Sequence, residues 1–316
     1  MNEMLQTRFE ADGYVVVDGL LDTGRLAAVR EEYAERLRSC CRNWVDQSLL
    51  PASVCAESFD EQLLAVMDAG LDYFQPLDIS LPIADFPPDV PMHTSRAVFE
   101  IMRHARVLDA VEALIGPEIT SNPIQHVRIK PPMNRVSVAE NRAHIVRTDW
   151  HQDRAVAMEQ ADRTRMVTLW LAITDATVDN GCLQVIPGSH RQDMLVHCPQ
   201  RQLGIPSQLI DDKAAKALPV KAGGAILFHP LTIHSSLDNR SDAIRWSFDL
   251  RYNVTGDPTG RPQFPEFVAR SRQSPSSELR DHARWQESWM RTRARLALPH
   301  AADQYHRWDG SHPVCA

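Results

Sequence analysis

The feature that most constrains the fold is a His-x-Asp tripeptide, His151-Gln152-Asp153, which is followed much later by His234. If the tripeptide lies on a strand, its two polar side chains project from one face, because alternate strand residues share a face. Two imidazoles and one carboxylate can occupy one face of an iron(II) ion and leave the opposite face open. The distant histidine must then come from a strand that folds back beside the first. The sequence therefore predicts a sheet that brings residues 151 and 234 together.

The segments around these residues have the patterns of strands. Residues 166–174 form a mainly apolar run that is typical of a buried strand. Residues 179–190 place turn residues on both sides of a short apolar stretch, and residues 225–228 predict a further strand that leads to the second histidine. Residues 243–252 alternate between apolar and polar, as a half-buried strand does. Both histidines are therefore predicted on strands or at their ends.

Arg245 lies on the 243–252 segment, and its planar guanidinium is suited to bind a carboxylate through two parallel hydrogen bonds. It follows His234 by eleven residues, which is far enough to cross a turn and return on the next strand. Ser247 lies two residues further on, hence on the same strand face, and adds a hydroxyl donor. Three metal ligands beside one carboxylate clamp predict an oxygenase that uses a 2-oxo acid as co-substrate. An ordinary surface arginine is the alternative, which the apolar strand disfavours.

Several segments in this order resemble the phytanoyl-CoA dioxygenase family of iron(II)/2-oxoglutarate oxygenases. They are residues 9–21, which look like the family's opening strand, residues 127–132 and 180–190, and the metal motif. The resemblance spans roughly residues 8–254. The resemblance implies a mainly β fold with flanking helices, built on a double-stranded β-helix, or cupin-like jelly roll. It also implies that this core carries iron(II) and 2-oxoglutarate.

The resemblance further implies a role for individual residues. His151, Asp153 and His234 would bind iron(II) and leave three positions, two for oxygens of 2-oxoglutarate and one for O2. Arg245 would bind the distal carboxylate of 2-oxoglutarate, assisted by Ser247. The remaining co-substrate contacts are expected from Thr168, Trp170, His126 and Gln184, with core packing as the alternative for Trp170.

The reaction that the resemblance implies is hydroxylation, or a related oxidation, of an unactivated C–H bond, with succinate and CO2 formed from 2-oxoglutarate. Because halogenating relatives lack the carboxylate ligand, Asp153 favours hydroxylation over chlorination. Two alternatives stay open: a metal-dependent oxygenase that does not use 2-oxoglutarate, and a non-catalytic binding protein of the same fold. His229 is a rival ligand, but its odd separation from His234 puts the two on opposite faces of a strand.

The expected partner is a small molecule, either anionic or a natural-product intermediate, with acyl-CoA and amino acid as open alternatives. Arg154, Arg128 and Arg251 are the candidates for binding an anionic substrate. The net charge of −7 argues against a general nucleic-acid binder, because neutralising phosphates needs a basic face. No apolar run is long enough to span a bilayer, and the start lacks the regions of a signal peptide. The oligomeric state is left open.

The six cysteines include no CxxC pair, so a zinc cluster is not expected. A chain of 316 residues does not need disulfides to build a core, and a cytoplasmic location is predicted.

The chain is predicted to form a single catalytic domain, residues 1–316, in three parts. Residues 1–122 supply a first strand and supporting helices, residues 123–254 form the jelly-roll core, and residues 255–316 add a loop and a helix. The proline-rich loop 76–91 and the helix at 277–298 are expected to close over the substrate. Further helices are predicted at residues 25–38, 61–69 and 107–115.

Overall fold

The structure is a computed structural model that describes residues 2–83, 86–297 and 307–315. Its α-helices are α1 (Asn2–Asp12), α2 (Thr23–Asp46), α3 (Phe59–Asp68), α4 (Phe74–Leu77), α5 (Arg96–Met102), α6 (Ala105–Ile115) and α7 (His282–Leu296). Its strands are β1 (Tyr14–Val17), β2 (Glu118–Lys130), β3 (Met166–Ala172), β4 (Leu183–Val185), β5 (Cys198–Pro199), β6 (Leu203–Gly204), β7 (Lys216–Leu218), β8 (Ala225–Phe228), β9 (His234–Ser236), β10 (Arg245–Val254) and β11 (Phe267–Ser271).

Two antiparallel sheets form the core. The major sheet has the strand order β1-β8-β3-β10-β2-β11, and the minor sheet has the order β7-β4-β9. The inner faces of the two sheets pack against each other, with Trp170 and Phe228 from the major sheet beside Leu183 and Leu218 from the minor one. The prediction of a mainly β fold with flanking helices around a jelly-roll core is confirmed.

The buried strand β3 shows why the sequence has an unbroken apolar run here. Val167, Leu169 and Leu171 face the helices behind the major sheet. Trp170 and Ala172 face the minor sheet on the other side. Because both faces of such a strand are buried, its sequence is mainly apolar and does not alternate between polar and apolar residues.

The helices before β2 cover the outer face of the major sheet, as expected for supporting elements. The helix predicted at residues 25–38 is part of the longer α2, and the side chain of Asp22 caps it by accepting a hydrogen bond from the backbone of Arg25. Tyr33 of α2 is fully buried, and its ring centre lies 5.0 Å from that of Trp246 on β10. The outward face of β10 therefore belongs to the core, which leaves its inward face for the site.

Two predictions about the ends of the chain need correction. Residues 9–21 were expected to form one strand, but α1 continues to Asp12 and β1 spans only Tyr14–Val17. Gly13 makes the break with φ +80°, where a Cβ atom would lie 2.4 Å from the ring of His190. The helix expected at 277–298 is α7, His282–Leu296, and residue 298 lies outside the described residues. Its Trp285 and Trp289 pack into the hydrophobic core, and the closing of this helix over the substrate stays a prediction.

Cys198 and Cys315 form a disulfide bond, although a chain of this length was not expected to need one. The sequence carried no hint of this pair because the two cysteines are 117 residues apart. Because disulfides are rare in reducing compartments, this bond counts against the predicted cytoplasmic location. The location itself stays a prediction. Among the described residues, no helix has the length and apolar content that crossing a bilayer would require.

Candidate active site

The predicted metal ligands meet between the two sheets. One ligand atom from each of His151, Asp153 and His234 lies within 4.8 Å of the others, and all three side chains are buried. The Nε2 atoms of His151 and His234 are 3.6 and 3.9 Å from Oδ1 of Asp153. Two imidazoles and one carboxylate at this spacing suit a single divalent ion with open positions.

A backbone bridge brings the two histidines together. The amide of each donates to the carbonyl of the other, with N···O distances of 2.9 Å from His151 and 3.0 Å from His234. His234 therefore lies on a strand that returns beside the first histidine, as predicted. The prediction that Asp153 shares a strand with His151 is wrong, because the chain turns into a 3-10 helix at Asp153–Val156. That turn still directs the carboxylate at both imidazoles.

Backbone carbonyls fix the tautomer of both histidines. Nδ1 of His151 lies 2.9 Å from the carbonyl oxygen of Asp149, and Nδ1 of His234 lies 2.9 Å from that of Thr232. Because a carbonyl only accepts, each Nδ1 must carry the proton and each Nε2 offers its lone pair to a metal. Burial lowers the pKa of His234 to about 4, which keeps this imidazole neutral at neutral pH.

Two side chains hold the carboxylate of Asp153. Thr168 donates its hydroxyl to Oδ2 at 2.5 Å, and Arg251 donates Nη2 to Oδ1 at 2.5 Å. Burial by itself would raise the pKa of Asp153, but Arg251 and the two histidines hold it well below its usual range. Thr168, predicted as a co-substrate contact, thus supports the metal ligand, and Arg251, predicted as a substrate contact, does the same.

Thr168→Val is expected to weaken iron(II) binding by about 10- to 100-fold, since partners of metal ligands typically have effects of this size. Valine fills the same volume but cannot donate to Asp153. The matched control is Thr164→Val, which removes another buried hydroxyl, one that bonds to the carbonyl of Pro258. Iron(II) affinity measured by anaerobic titration should fall only in the first variant. Equal affinities in the two variants would show that the Thr168 hydroxyl does not tune the ligand.

Arg245 is fully buried and only partly bonded. Its Nη1 donates to Ser247 Oγ at 2.7 Å, whereas Nε and Nη2 have no hydrogen-bond partner among the described residues. Its guanidinium carbon lies 5.4 Å from the ring centre of Trp170. Burial lowers the pKa of Arg245 to about 10, so the group remains charged at neutral pH. Leaving hydrogen-bond donors of a buried charge without partners costs free energy, and a bound carboxylate would give partners to both Nε and Nη2.

A narrow chamber joins this guanidinium to the three ligands. Its cavity volume is only about 10 Å³, roughly the space for one water-sized group, and Trp170, Leu183 and Phe228 lie in its wall. Arg245 and the three ligands line this one space, so a dianion that enters it, with adjustment of the wall, would have one end at the metal position and the other at Arg245. The donor set and the unmet donors fit iron(II) with 2-oxoglutarate.

The other predicted co-substrate residues lie outside this chamber. The Gln184 amide donates to Ser235 Oγ at 2.8 Å. His126 bonds through Nδ1 to the buried carboxylate of Asp78 at 2.8 Å. His126 lines a second, larger chamber. Neither His126 nor Gln184 lines the space beside Arg245.

The larger chamber, of about 560 Å³, opens from the same centre and shares His151, Arg128 and Thr148 with the narrow one. Its wall is mainly apolar and comes from distant parts of the chain. Ser80, Leu81 and Ile83 of the proline-rich loop contribute, and the closing of this loop over the substrate stays a prediction. The hairpin β5–β6 and the pair Arg307 and Trp308 contribute as well.

The predicted anion-binding arginines are already bonded. Arg128 pairs with Asp249 at 2.5 Å, as Arg251 does with Asp153. Arg154 turns away from the larger chamber and donates to the carbonyls of Ala161 and Thr164.

The roles of Asp249 and Arg251 were missed, although the alternation of β10 contains them. Residues 245, 247, 249 and 251 share the inward face, while their neighbours pack into the core behind the sheet.

Comparison with known proteins agrees with this geometry. The family model for phytanoyl-CoA dioxygenase (PhyH) matches residues 9–247. The phytanoyl-CoA dioxygenase domain-containing protein 1 of Danio rerio is 37% identical over 103 residues, which cover 30% of this chain and 35% of that protein. The human peroxisomal phytanoyl-CoA dioxygenase is 23% identical over 258 residues, covering 77% and 66%. The match spans about a third of the length of the first curated relatives.

Solved structures show the same fold. The epimerase SnoN, solved with Fe3+, alpha ketoglutarate and nogalamycin RO, superposes with a TM-score of 0.54 at 21% identity, covering 82% of this chain and 87% of that one. EctD from S. alaskensis, solved with 2-oxoglutarate and 5-hydroxyectoine, superposes with a TM-score of 0.53 at 20% identity, covering 80% and 76%. At these identities the likeness establishes the shared fold.

Proposed function

The chain belongs to the phytanoyl-CoA dioxygenase family, and from that premise we propose that it is an iron(II)- and 2-oxoglutarate-dependent oxygenase. It hydroxylates, or otherwise oxidises, an unactivated C–H bond of a small molecule and forms succinate and CO2. The observation that carries the proposal is the fully buried Arg245, whose two unmet donors share a chamber with His151, Asp153 and His234.

The residues of the chain supply binding, orientation and protection from water. Bound iron(II) would supply the redox chemistry with O2. Arg245 holds the distal carboxylate of 2-oxoglutarate, and Trp170 packs against its guanidinium. Leu183 and Phe228 keep the narrow chamber apolar. The low pKa of Asp153 keeps this ligand anionic throughout the neutral pH range.

The larger chamber is the proposed place of the oxidised substrate. Its wall is mainly apolar, and Arg128 and Arg251 are neutralised by carboxylates. These ion pairs neutralise two of the five arginines in the wall, and the apolar part of the surface suits a mainly apolar small molecule. Because residues 80–83, 199–203 and 307–308 all line one chamber, we also propose that the three predicted parts form a single catalytic domain.

Succinate release tests the function. With iron(II), O2 and 2-oxoglutarate, we expect succinate formation that rises severalfold when the correct substrate is added from a panel of apolar natural products. Hydroxylated product should appear in equal amount to the substrate-stimulated succinate, and no chlorinated product should form with chloride present. Substrate oxidation without 2-oxoglutarate would identify the other oxygenase class. Failure to bind iron(II) at all would favour a binding protein.

A further inference from the structure

We propose that Trp308 is a wall of the substrate chamber that the Cys198–Cys315 disulfide holds in place, so that reduction of this bond weakens substrate binding. The inference rests on the proposed function, because it takes the larger chamber as the substrate site. It concerns the short segment 307–315, which we call the strap.

The strap contacts the chamber at its first two residues. Trp308 lines the chamber, and its indole Nε1 donates to the carbonyl of Ala155 at 2.9 Å. Its ring centre lies 5.4 Å from that of His197. Arg307 also lines the chamber and donates to both oxygens of Asp162, at 2.6 and 3.0 Å. The indole therefore contacts the part of the wall formed by residues just after the metal ligand Asp153 in the sequence.

The disulfide ties the strap to another segment of the chamber wall. Cys198 begins the hairpin β5–β6, and residues 199–203 of that hairpin line the same chamber. Cys315 lies at the far end of the strap, where the carbonyl of Val314 also accepts a hydrogen bond from Gln208 at 3.2 Å. One covalent bond thus fixes the separation between two walls of the chamber.

The other contacts of the strap are non-covalent. Arg307, whose side chain is only 9% exposed, forms a bidentate ion pair with Asp162, whose side chain is 41% exposed and therefore partly screened by water. The bonds to Ala155 and from Gln208 are single neutral hydrogen bonds. The disulfide, in contrast, is covalent and holds Cys315 to the hairpin β5–β6. Without it only the non-covalent contacts hold the strap, so the strap should leave its place more often while the folded core persists.

The redox step needs a dithiol reductant. The dithiol passes two electrons and two protons to the Cys198–Cys315 bond, which becomes two thiols, while the dithiol itself closes to a disulfide. The metal ligands and Arg245 take no part in this exchange. Reduction should consequently change binding in the larger chamber and leave the narrow one unchanged.

The first experiment needs no substrate. Thiol titration of the unreduced, unfolded protein should find four free thiols of the six cysteines, and dithiothreitol should raise the number to six. Hydrogen exchange of residues 307–315 should accelerate at least about tenfold after anaerobic reduction and removal of the reagent. Cys315→Ser should show the fast exchange without reduction. Six free thiols at the outset, or unchanged exchange, would overturn the proposal.

The second experiment uses the substrate that the succinate screen identifies. In Cys315→Ser and Trp308→Ala, the KM for this substrate should rise at least about tenfold, whereas the KM for 2-oxoglutarate and the iron(II) affinity stay within about twofold. Trp308→Phe should recover part of the loss because it keeps an aromatic wall. Cys55→Ser, which removes a half-buried free cysteine, is the matched control. An unchanged substrate KM in Trp308→Ala would refute its role as a wall.

The two experiments distinguish a failure of the proposed function from a failure of the further inference. If iron(II) and 2-oxoglutarate do not bind, the proposed function fails while the exchange of the strap still reports on the disulfide. If both bind and exchange is unaffected by reduction, the further inference fails alone.

Discussion

Replacing His234 with alanine is expected to remove iron(II) binding and to lower iron-dependent turnover at least about a hundredfold. Even partners of metal ligands change affinity by about 10- to 100-fold, and a ligand matters more. The lost group is a neutral imidazole whose Nε2 faces the other two ligands and whose proton is fixed on Nδ1. Bound iron per protein after anaerobic loading, and succinate release, are the measurements.

His229→Ala is the matched control because it is the rival ligand in the sequence. Its ring packs near those of Phe9 and His190, and its Nδ1 accepts a hydrogen bond from the amide of Leu231. This variant should keep the iron content of the wild type. Iron binding that survived in His234→Ala and vanished in His229→Ala would reverse the ligand assignment.

Replacing Arg245 with alanine is expected to weaken 2-oxoglutarate binding by about 30-fold or more. Truncating one partner of a buried, hydrogen-bonded charge pair costs roughly 2–5 kcal/mol, and about 1.4 kcal/mol corresponds to tenfold. The concentration of 2-oxoglutarate that gives the weak visible band of its iron(II) chelate, under anaerobic conditions, reports the affinity. Arg245→Lys should recover only part of the loss, because an ammonium cannot form the planar fork.

Two controls make this second result decisive. Ser247→Ala removes the neighbour that accepts from Arg245 and should cost about tenfold, the scale of one hydrogen bond to a charged group. The iron(II) affinity of Arg245→Ala should stay near that of the wild type, since the guanidinium touches none of the three ligands. Unchanged 2-oxoglutarate binding would make Arg245 structural and favour an oxygenase that uses another reductant.

The parts of the fold that follow from local pattern could be predicted. The apolar run of β3 and the alternation of β10 both depend on neighbours within a few residues. The pairing of His151 with His234 followed from metal chemistry, which requires both ligands at one point. Even so, the extended conformation predicted for the metal tripeptide was wrong. The chain turns at Asp153, and the amide of Arg154 there donates to the distant carbonyl of Pro230.

What the sequence could not show are contacts between distant segments whose partners carry no distinctive motif. Arg251 reaches Asp153 across 98 residues, and the disulfide closes 117. A lone arginine on a strand is equally consistent with a substrate contact, an ion pair or a solvated surface. Only the sheet register, which pairs Arg251 with Thr168 on β3, places it beside the metal carboxylate.

The carbonyl oxygens that hold Nδ1 of His151 and His234 belong to the main chain, as does the bridge between these two residues. Side chains at positions 149 and 232 can therefore be exchanged during evolution without disturbing the protonation of either ligand. For the protonation of these two ligands, selection has to preserve only the histidines and the path of the backbone, so residues of the larger chamber can diverge without disturbing it. A centre constructed in this way can keep its metal while lineages change what they oxidise.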